Sequence, residues 1–555
     1  MSPIRPYVRL NRMLAVDRRE ITHIYLYALV SGLINLTLPL GIQAIINLIM
    51  GGQLASSWGV LVVFVTIGVA LTGALQVMQL ALAENIKQKI FARSAFEFAY
   101  RLPRMRSDAV NGRYLPELVN RFFDINTVQK GLTKVLMDVP IALLQMVLGM
   151  ILLAFYHPFF IAFGLVLALV LYLIFTWSAK KGLRTNMLES KYKYEVAYWL
   201  EEIGRSNSTF KLAGGSVLPM ERTNVLANKY ITARRDHFKV LLGQYMAMVG
   251  FKTLVTLMLL LLGGLLVLEE QMTIGQFVAA EIVILLIINA VEKLTLSIES
   301  IYDVLVALDK IGQVTDLPLE RDGGMPLQQW VGHPFGMAVE LRGVSFRSHW
   351  SNQVVLDNIL LRVVPGERVC LGGANGAGKT SLLHMITGIT EPGSGTVLID
   401  DHPVSSLDLS AVRSQIGDSL TGEDVFSGTV LDNIRIGRNW IDDTDIQEAS
   451  RITGLQDLLG SLPDGVLTHL DPHASRLPES FVQRLLLARC IAGRPRLLLI
   501  EDHLQALPPE ERERLLAHVL DRRNPWTVIA VSNDPAVRAR FDRSLVIEGG
   551  KLIPA

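Results

Sequence analysis

Residues 371–387 read Leu-Gly-Gly373-Ala-Asn375-Gly376-Ala377-Gly378-Lys379-Thr380-Ser381-Leu-Leu-His-Met-Ile-Thr. An apolar, β-branched run precedes the glycines and a helical pattern follows them, which is the strand, loop and helix order that a phosphate-binding loop requires. Gly373, Gly376 and Gly378 allow backbone N–H groups to curl around phosphate oxygens where a side chain would collide or impose the wrong dihedral. Lys379 is placed to neutralise β- and γ-phosphate charge, Thr380 to ligate Mg²⁺, and the helix that begins here adds its positive end. The candidate nucleotide contacts are Gly373, Asn375, Gly376, Ala377, Gly378, Lys379, Thr380 and Ser381.

Outward from this loop, short β-branched runs at 339–346, 368–372, 397–400, 497–500 and 527–531 alternate with helical stretches, predicting an α/β P-loop domain over 338–555. Upstream, Pro318, Gly323, Gly324, Pro326 and Pro334 break regular structure, so 317–337 reads as a linker. Before it lie six apolar stretches of bilayer-spanning length, at 21–50, 58–82, 135–156, 158–177, 245–268 and 274–296. These predict an all-α, six-helix transmembrane domain over 1–316. The two long polar loops carry Lys87, Arg93, Arg101, Arg104, Lys180, Arg184 and Arg234 among other basic residues, and the N-terminus carries Arg5, Arg9, Arg12, Arg18 and Arg19. The short turns on the other side carry none. The positive-inside rule therefore places both termini and both long loops in the cytoplasm.

Composition agrees with a membrane protein. Half of the 555 residues are hydrophobic, and 53 Lys and Arg nearly balance 52 Asp and Glu. Mean hydropathy is +0.35. Balanced charge without a basic, aromatic-interleaved stripe excludes nucleic acid as a partner class. Cys370 and Cys490 both lie in apolar segments, as buried thiols do rather than disulfide or metal frameworks. Residues 1–20 are polar and basic, which predicts no secretory signal peptide and no preceding leader-protease module.

Six membrane helices with two long cytoplasmic loops, followed by a P-loop domain, resemble the exporter-type half-transporters of the ABC family over nearly the whole chain. Phe426-Ser-Gly-Thr429 with Asp432-Asn433-Ile434 looks like the stretch after the family's glutamine loop, Gln483 to Arg489 like the helix after its signature, and 497–500 like its Walker B strand. The first loop, with Asn120-Arg-Phe-Phe-Asp124, and the first span are similar to bacterial type I secretion and peptide exporters. The resemblance implies ATP and Mg²⁺ as cofactors and a multi-pass place in a bacterial inner membrane. It also implies assembly as a homodimer or as a heterodimer with a second half-transporter, with a periplasmic adaptor as a possible further partner.

In that family each ATP is held between one subunit's P-loop and the other's LSGGQ signature. Here the signature aligns with Leu477-Pro-Glu-Ser-Phe481, which lacks both glycines, and only Ser480 is chemically similar to a signature residue. Glu479 sets a negative charge near a helix N-terminus that should attract phosphate. The Walker B acids appear inverted: Glu501 can reach Mg²⁺ through water, while Asp502, at the place of the catalytic base, is one C–C bond shorter, about 1.5 Å. A displacement of ~1 Å already costs ~10²-fold in rate. Thr421 stands at the glutamine loop, Pro508 at the D-loop aspartate and Asn533 at the switch histidine. Asn533 can hydrogen-bond a γ-phosphate but cannot relay a proton near neutral pH. The adenine-stacking aromatic belongs near Ser348, where His349 and Trp350 are the neighbours. Fast ATP turnover is not expected.

Asn35, Gln43 and Asn47 fall on one side of the first span, and Glu281, Asn289 and Glu292 on one side of the sixth, where they either bond between helices or line a path. Two functions follow. One is an exporter subunit that binds ATP and moves a peptide, protein or amphiphile as a dimer; the other is a degenerate ATP-binding regulatory or assembly subunit that hydrolyses poorly or not at all.

Overall fold

A computed structural model describes residues 5–50, 56–326, 336–348, 353–420, 425–472, 477–501 and 508–554. They form two compact units, Met1–Arg104 with Arg113–Leu317, and Met105–Gly112 with Pro318–Ala555.

The first unit is helical. Its principal elements are α1 (Arg18–Asn35), α2 (Thr37–Met50), α3 (Ser56–Arg101), α4 (Val139–Tyr156), α5 (Phe159–Arg205), α6 (Leu218–Met258) and α7 (Ile274–Thr315). Among the described residues five stretches, rather than the six expected, are long and apolar enough to cross a membrane, and Phe159–Leu173 is a shorter apolar part of α5. With 46, 47 and 42 residues, α3, α5 and α7 reach about 60–70 Å at ~1.5 Å per residue. A hydrocarbon layer is only ~30 Å thick, so their polar halves continue well beyond any bilayer. The first apolar stretch is two helices rather than one: the chain breaks at Leu36, and Pro39, which lacks an N–H, falls in the first turn of α2.

Helix α7 is the spine of this unit. Val283, Ile284, Ile287, Ile288, Val291 and Leu294 recur at three- and four-residue spacing and are buried among α4, α5 and α6. Two of the polar residues pair between helices, and a third packs against a neighbouring helix without a hydrogen bond among the described residues. Gln43 accepts the Tyr156 hydroxyl at 2.9 Å, and Glu292 pairs with Lys252 at 3.7 Å. Asn47 lies against Gly275, where an added Cβ would fall within 2.2 Å of its Oδ1. The Asn120–Asp124 motif forms a tight turn followed by a helix (Asp124–Thr133), and Tyr194 of α5 donates its hydroxyl to Asp124 at 2.5 Å while Arg121 lies 3.6 Å over the Tyr194 ring.

Among its described residues the second unit contains two large sheets and a short two-stranded pairing of Gly428–Thr429 with His469–Leu470. Strands β1 (Val339–Arg347), β2 (Val354–Val363), β4 (Ser394–Ile399) and β5 (His402–Pro403) form a four-stranded antiparallel sheet ordered β2-β1-β4-β5. Strands β3 (Arg368–Gly373), β6 (Ile416–Ser419), β7 (Leu497–Ile500), β8 (Thr527–Val531), β9 (Arg543–Glu548) and β10 (Lys551–Pro554) form a six-stranded sheet ordered β10-β9-β3-β8-β7-β6. All its pairings are parallel except the β9–β10 hairpin. β3, β7 and β8 are buried along nearly their whole length, which explains their continuous apolar reading. Four helices matter for the site: α8 (Lys379–Ile386), α9 (Val430–Arg435), α10 (Glu479–Ala492) and α11 (Pro509–Val519).

Two segments pack with this unit in ways the sequence did not announce. Residues Met105–Gly112, between helices in sequence, join it through Arg106 N–H donating to Pro318 O at 3.0 Å and a bridge between Met105 and Leu319. The first part of the linker is docked rather than free: Met325 N–H donates to Ser406 O at 2.9 Å, and Arg413 forks onto Glu320 at 2.6 and 2.9 Å.

Candidate nucleotide site

Parallel pairing brings three strand ends together. Leu371 of β3 stands opposite Val531 of β8, and Ala530 opposite Ile500 of β7. The carboxyl ends of parallel strands are where α/β sheets bind ligands, and here they carry the P-loop, Asn533 and Glu501. All three border a cleft of about 600 Å³ that also takes in Thr380, Ser381 and His384.

Loop geometry explains the glycines. Gly373 has φ +140°, and a Cβ there would lie 2.7 Å from Ile547 O; Gly378 has φ +101°, and a Cβ would lie 2.7 Å from the Val355 side chain. Neither position tolerates a side chain. Gly378 caps α8 without any side-chain acceptor, so the first-turn N–H groups of the helix are left without a protein side-chain partner at the cleft. Lys379 Nζ donates to Gly373 O at 2.7 Å and Ala374 O at 2.9 Å, folding the ammonium over the loop it serves. A triphosphate would replace those two carbonyls with charged oxygens, which are stronger acceptors.

A magnesium ion fits the donors present. Glu501 is 4% exposed at the end of β7, and Thr380 opens α8 on the same cleft. Ser419, whose buried hydroxyl has no hydrogen-bond partner among the described residues, ends the adjacent strand β6. Hard oxygens of this kind suit Mg²⁺, which usually takes one or two protein oxygens and completes its shell with substrate phosphate and water.

Asn533 does not stand free. Its Oδ1 accepts Gly373 N–H at 3.0 Å, tying the end of β8 to the first residue of the loop. Asp502, Thr421, His349 and Trp350 lie outside the described residues. Ser348 borders the cleft as the sequence placed it, and Phe346, two residues earlier in β1, supplies an aromatic ring there. His384 also escaped the sequence reading; it follows Thr380 by one helical turn, and that i, i+4 spacing was the available signal. Burial lowers the His384 imidazole pKa, against the pull of the Glu501 and Asp418 carboxylates.

The signature segment is built as a helix start. Pro478 caps α10, Glu479 is its first residue and is exposed, and Phe481 is 2% exposed in the core of the helical part of this unit. Where close backbone approach to phosphate needs glycine, this chain presents a carboxylate and a side chain committed to packing. The helix behind it is intact: Arg489 donates through Nε to Asn433 O at 2.8 Å, and the Asn433 side chain closes on Phe426 N–H and O at 3.1 and 2.9 Å. Thr429 and Asp432 form a capping box at the start of α9. The two motifs recognised separately in sequence thus form one hydrogen-bonded unit.

The family model described as "ABC transporter transmembrane region" matches residues 22–291, and the one described as "ABC transporter" matches 356–504. The chain belongs to the ABC transporter family. This ABC transporter is 28% identical to an ATP-dependent lipid A-core flippase of Burkholderia orbicola (strain AU 1054) over 379 residues, which are 67% of this chain and 62% of that relative. The match therefore spans less than two thirds of the relative's own length. A protein of the same title from Ralstonia nicotianae is 25% identical over 564 residues, covering 98% of the transporter and 93% of the relative. Its fold is that of a solved structure titled "Structure of a bacterial Atm1-family ABC exporter with ATP bound", with a TM-score of 0.83 and 18% identity, covering 97% of this chain and 95% of that one. The architecture is that of an exporter-type half-transporter.

Proposed function

We propose that this ABC transporter binds Mg·ATP in the cleft at the ends of β3, β8 and β7, and works as one half of a dimeric exporter that turns ATP over slowly. The observation that carries binding is the placement of Lys379 and the uncapped start of α8 on one cleft with Glu501. ATP supplies the binding energy for closure. Lys379 would hold the β/γ-phosphates, the loop amides would wrap them, and Thr380 with Glu501 would hold Mg²⁺. An amphiphile is the cargo best supported, because the lipid A-core flippases are its relatives over nearly full length in one case. The bacterial flippase relatives support a place in an inner membrane, and the distribution of basic residues supports cytoplasmic termini. Partner subunit and adaptor belong to the same proposal.

Slow turnover rests on a second observation. An exposed Glu479 and a buried Phe481 occupy the surface that a partner's nucleotide would meet, so a homodimer would contain no complete composite site. The test is purified transporter in lipid nanodiscs, with Mg·ATP binding measured by calorimetry and phosphate release measured alongside. Binding that Lys379→Ala weakens at least tenfold, with release near the Lys379→Ala background, is the expected result. Absence of binding at millimolar Mg·ATP overturns the proposal, and rapid release that Lys379→Ala abolishes overturns the slow-turnover part alone.

A further inference from the structure

A second cavity, of about 350 Å³, lies within the first unit, between the N-terminal helix Pro6–Ala15 and the polar halves of α3 and α7. Its size is within the range of small-molecule sites. Four arginines border it: Arg9, Arg12, Arg93 and Arg101. Three of them are matched. Arg9 forks onto Asp316, with Nη1 to Oδ1 at 2.8 Å; Arg93 pairs with buried Asp17; Arg101 pairs with Glu97 at 3.0 Å. Arg12 is exposed and has no hydrogen-bond or ion-pair partner among the described residues. The floor is aliphatic, with Ile90, Val128 and Ile311 from three different helices.

A cavity with an apolar floor and an excess of guanidinium groups at its rim selects a ligand with the same two parts. The lining holds four cations against two carboxylates, Glu97 and Asp316. A lone inorganic anion would leave the floor wet, and a neutral apolar molecule would leave Arg12 unmatched. We propose that this cavity is a binding site for an anionic amphiphile, an alkyl chain carrying a phosphate or carboxylate head. The chain would lie on Ile90, Val128 and Ile311, and Arg12 would take the head by a charge-assisted, forked hydrogen bond. None of the residues that form it belongs to the nucleotide cleft, so the site is independent of the ATP proposal. The head could come from a membrane lipid or from a free single-chain amphiphile, and both share this chemistry.

The test uses the full-length transporter in phosphatidylcholine nanodiscs, with Val16→Cys at the cavity rim carrying an environment-sensitive dye. Cys370 and Cys490 are buried, so labelling is selective for the new thiol. Dodecyl phosphate should give a saturable emission change, and Arg12→Glu should weaken its midpoint at least tenfold, with Arg12→Lys, which keeps the charge and loses the fork, falling between Arg12→Glu and wild type. Dodecyl maltoside and inorganic phosphate should be at least tenfold less effective. Displacement of dodecyl phosphate by nanodiscs containing phosphatidylglycerol would assign the head to a lipid; retention would assign it to a free amphiphile. An unchanged midpoint in Arg12→Glu, or equal potency of dodecyl maltoside or of inorganic phosphate, overturns the proposal. Ile311→Trp, which fills the floor, should abolish the response while Mg·ATP binding persists, which separates loss of the site from loss of the fold.

Discussion

The side-chain carbonyl of Asn533 accepts the backbone N–H of Gly373 at 3.0 Å, so the residue that the sequence reading aligns with the family's switch histidine fastens the phosphate loop to the neighbouring strand. A group engaged in holding the loop is not one that relays protons. Replacing Asn533 by Ala removes one partly exposed hydrogen bond, worth about 1 kcal/mol, and a small fall in the thermal midpoint is expected. The double change Asn533→His with Asp502→Glu should leave phosphate release within about tenfold of wild type, a smaller gain than the ~10²–10⁴-fold a working base supplies. A gain of that larger size in a phosphate-release assay would show that the Glu479 and Phe481 surface is not limiting.

Lys379 bonds two loop carbonyls in the free protein. Removing it costs the charged hydrogen bonds to phosphate, about 1.5–3 kcal/mol, or roughly 10- to 150-fold in affinity. Calorimetric titration of Lys379→Ala with Mg·ATP should show that loss, with a thermal midpoint close to wild type.

Arg489 and Asn433 are both buried, and Arg489 holds the Asn433 carbonyl and side chain in place. Arg489→Ala strands these acceptors and opens a void in the core around α10, at a cost of about 3 kcal/mol or more. Arg435→Ala, whose side chain is more exposed, should cost less. Chemical unfolding of the two variants in parallel checks the ranking.

His384 is kept neutral by partial burial, its pKa lowered in the folded state. An unfolded histidine titrates near ~6.5, so below that value the unfolded chain binds the proton more readily than the folded one. Stability from this group is full above pH ~6.5 and is lost as pH falls toward the folded pKa. Urea midpoints should therefore fall between pH 7.5 and 5.5, and His384→Gln should reduce the slope. An unchanged slope would assign the pH dependence to other groups.

Much of the architecture was legible because it rests on local rules. Residues 371–387 announced a phosphate loop by glycine spacing alone, and the apolar stretches announced their helices by length. The strand at 497–500 matched β7 residue for residue because a strand buried on both faces is apolar throughout. The Phe426–Thr429 stretch with Asp432–Ile434 and the Gln483–Arg489 helix were visible as separate motifs. Their joining through Asn433 was not, since no rule of sequence spacing links residues 56 apart.

Sequence alone determined the helical, apolar character of the first unit and the α/β domain with its glycine-rich loop, because hydrophobic length and glycine freedom are properties of the residues themselves. Tertiary structure alone decided which strand ends meet around the cleft, that Asn533 grips Gly373, that residues 105–112 pack with the second unit, and that four arginines rim an aliphatic cavity. Those are outcomes of parallel register and helix packing between distant segments, where the burial of one element is set by another.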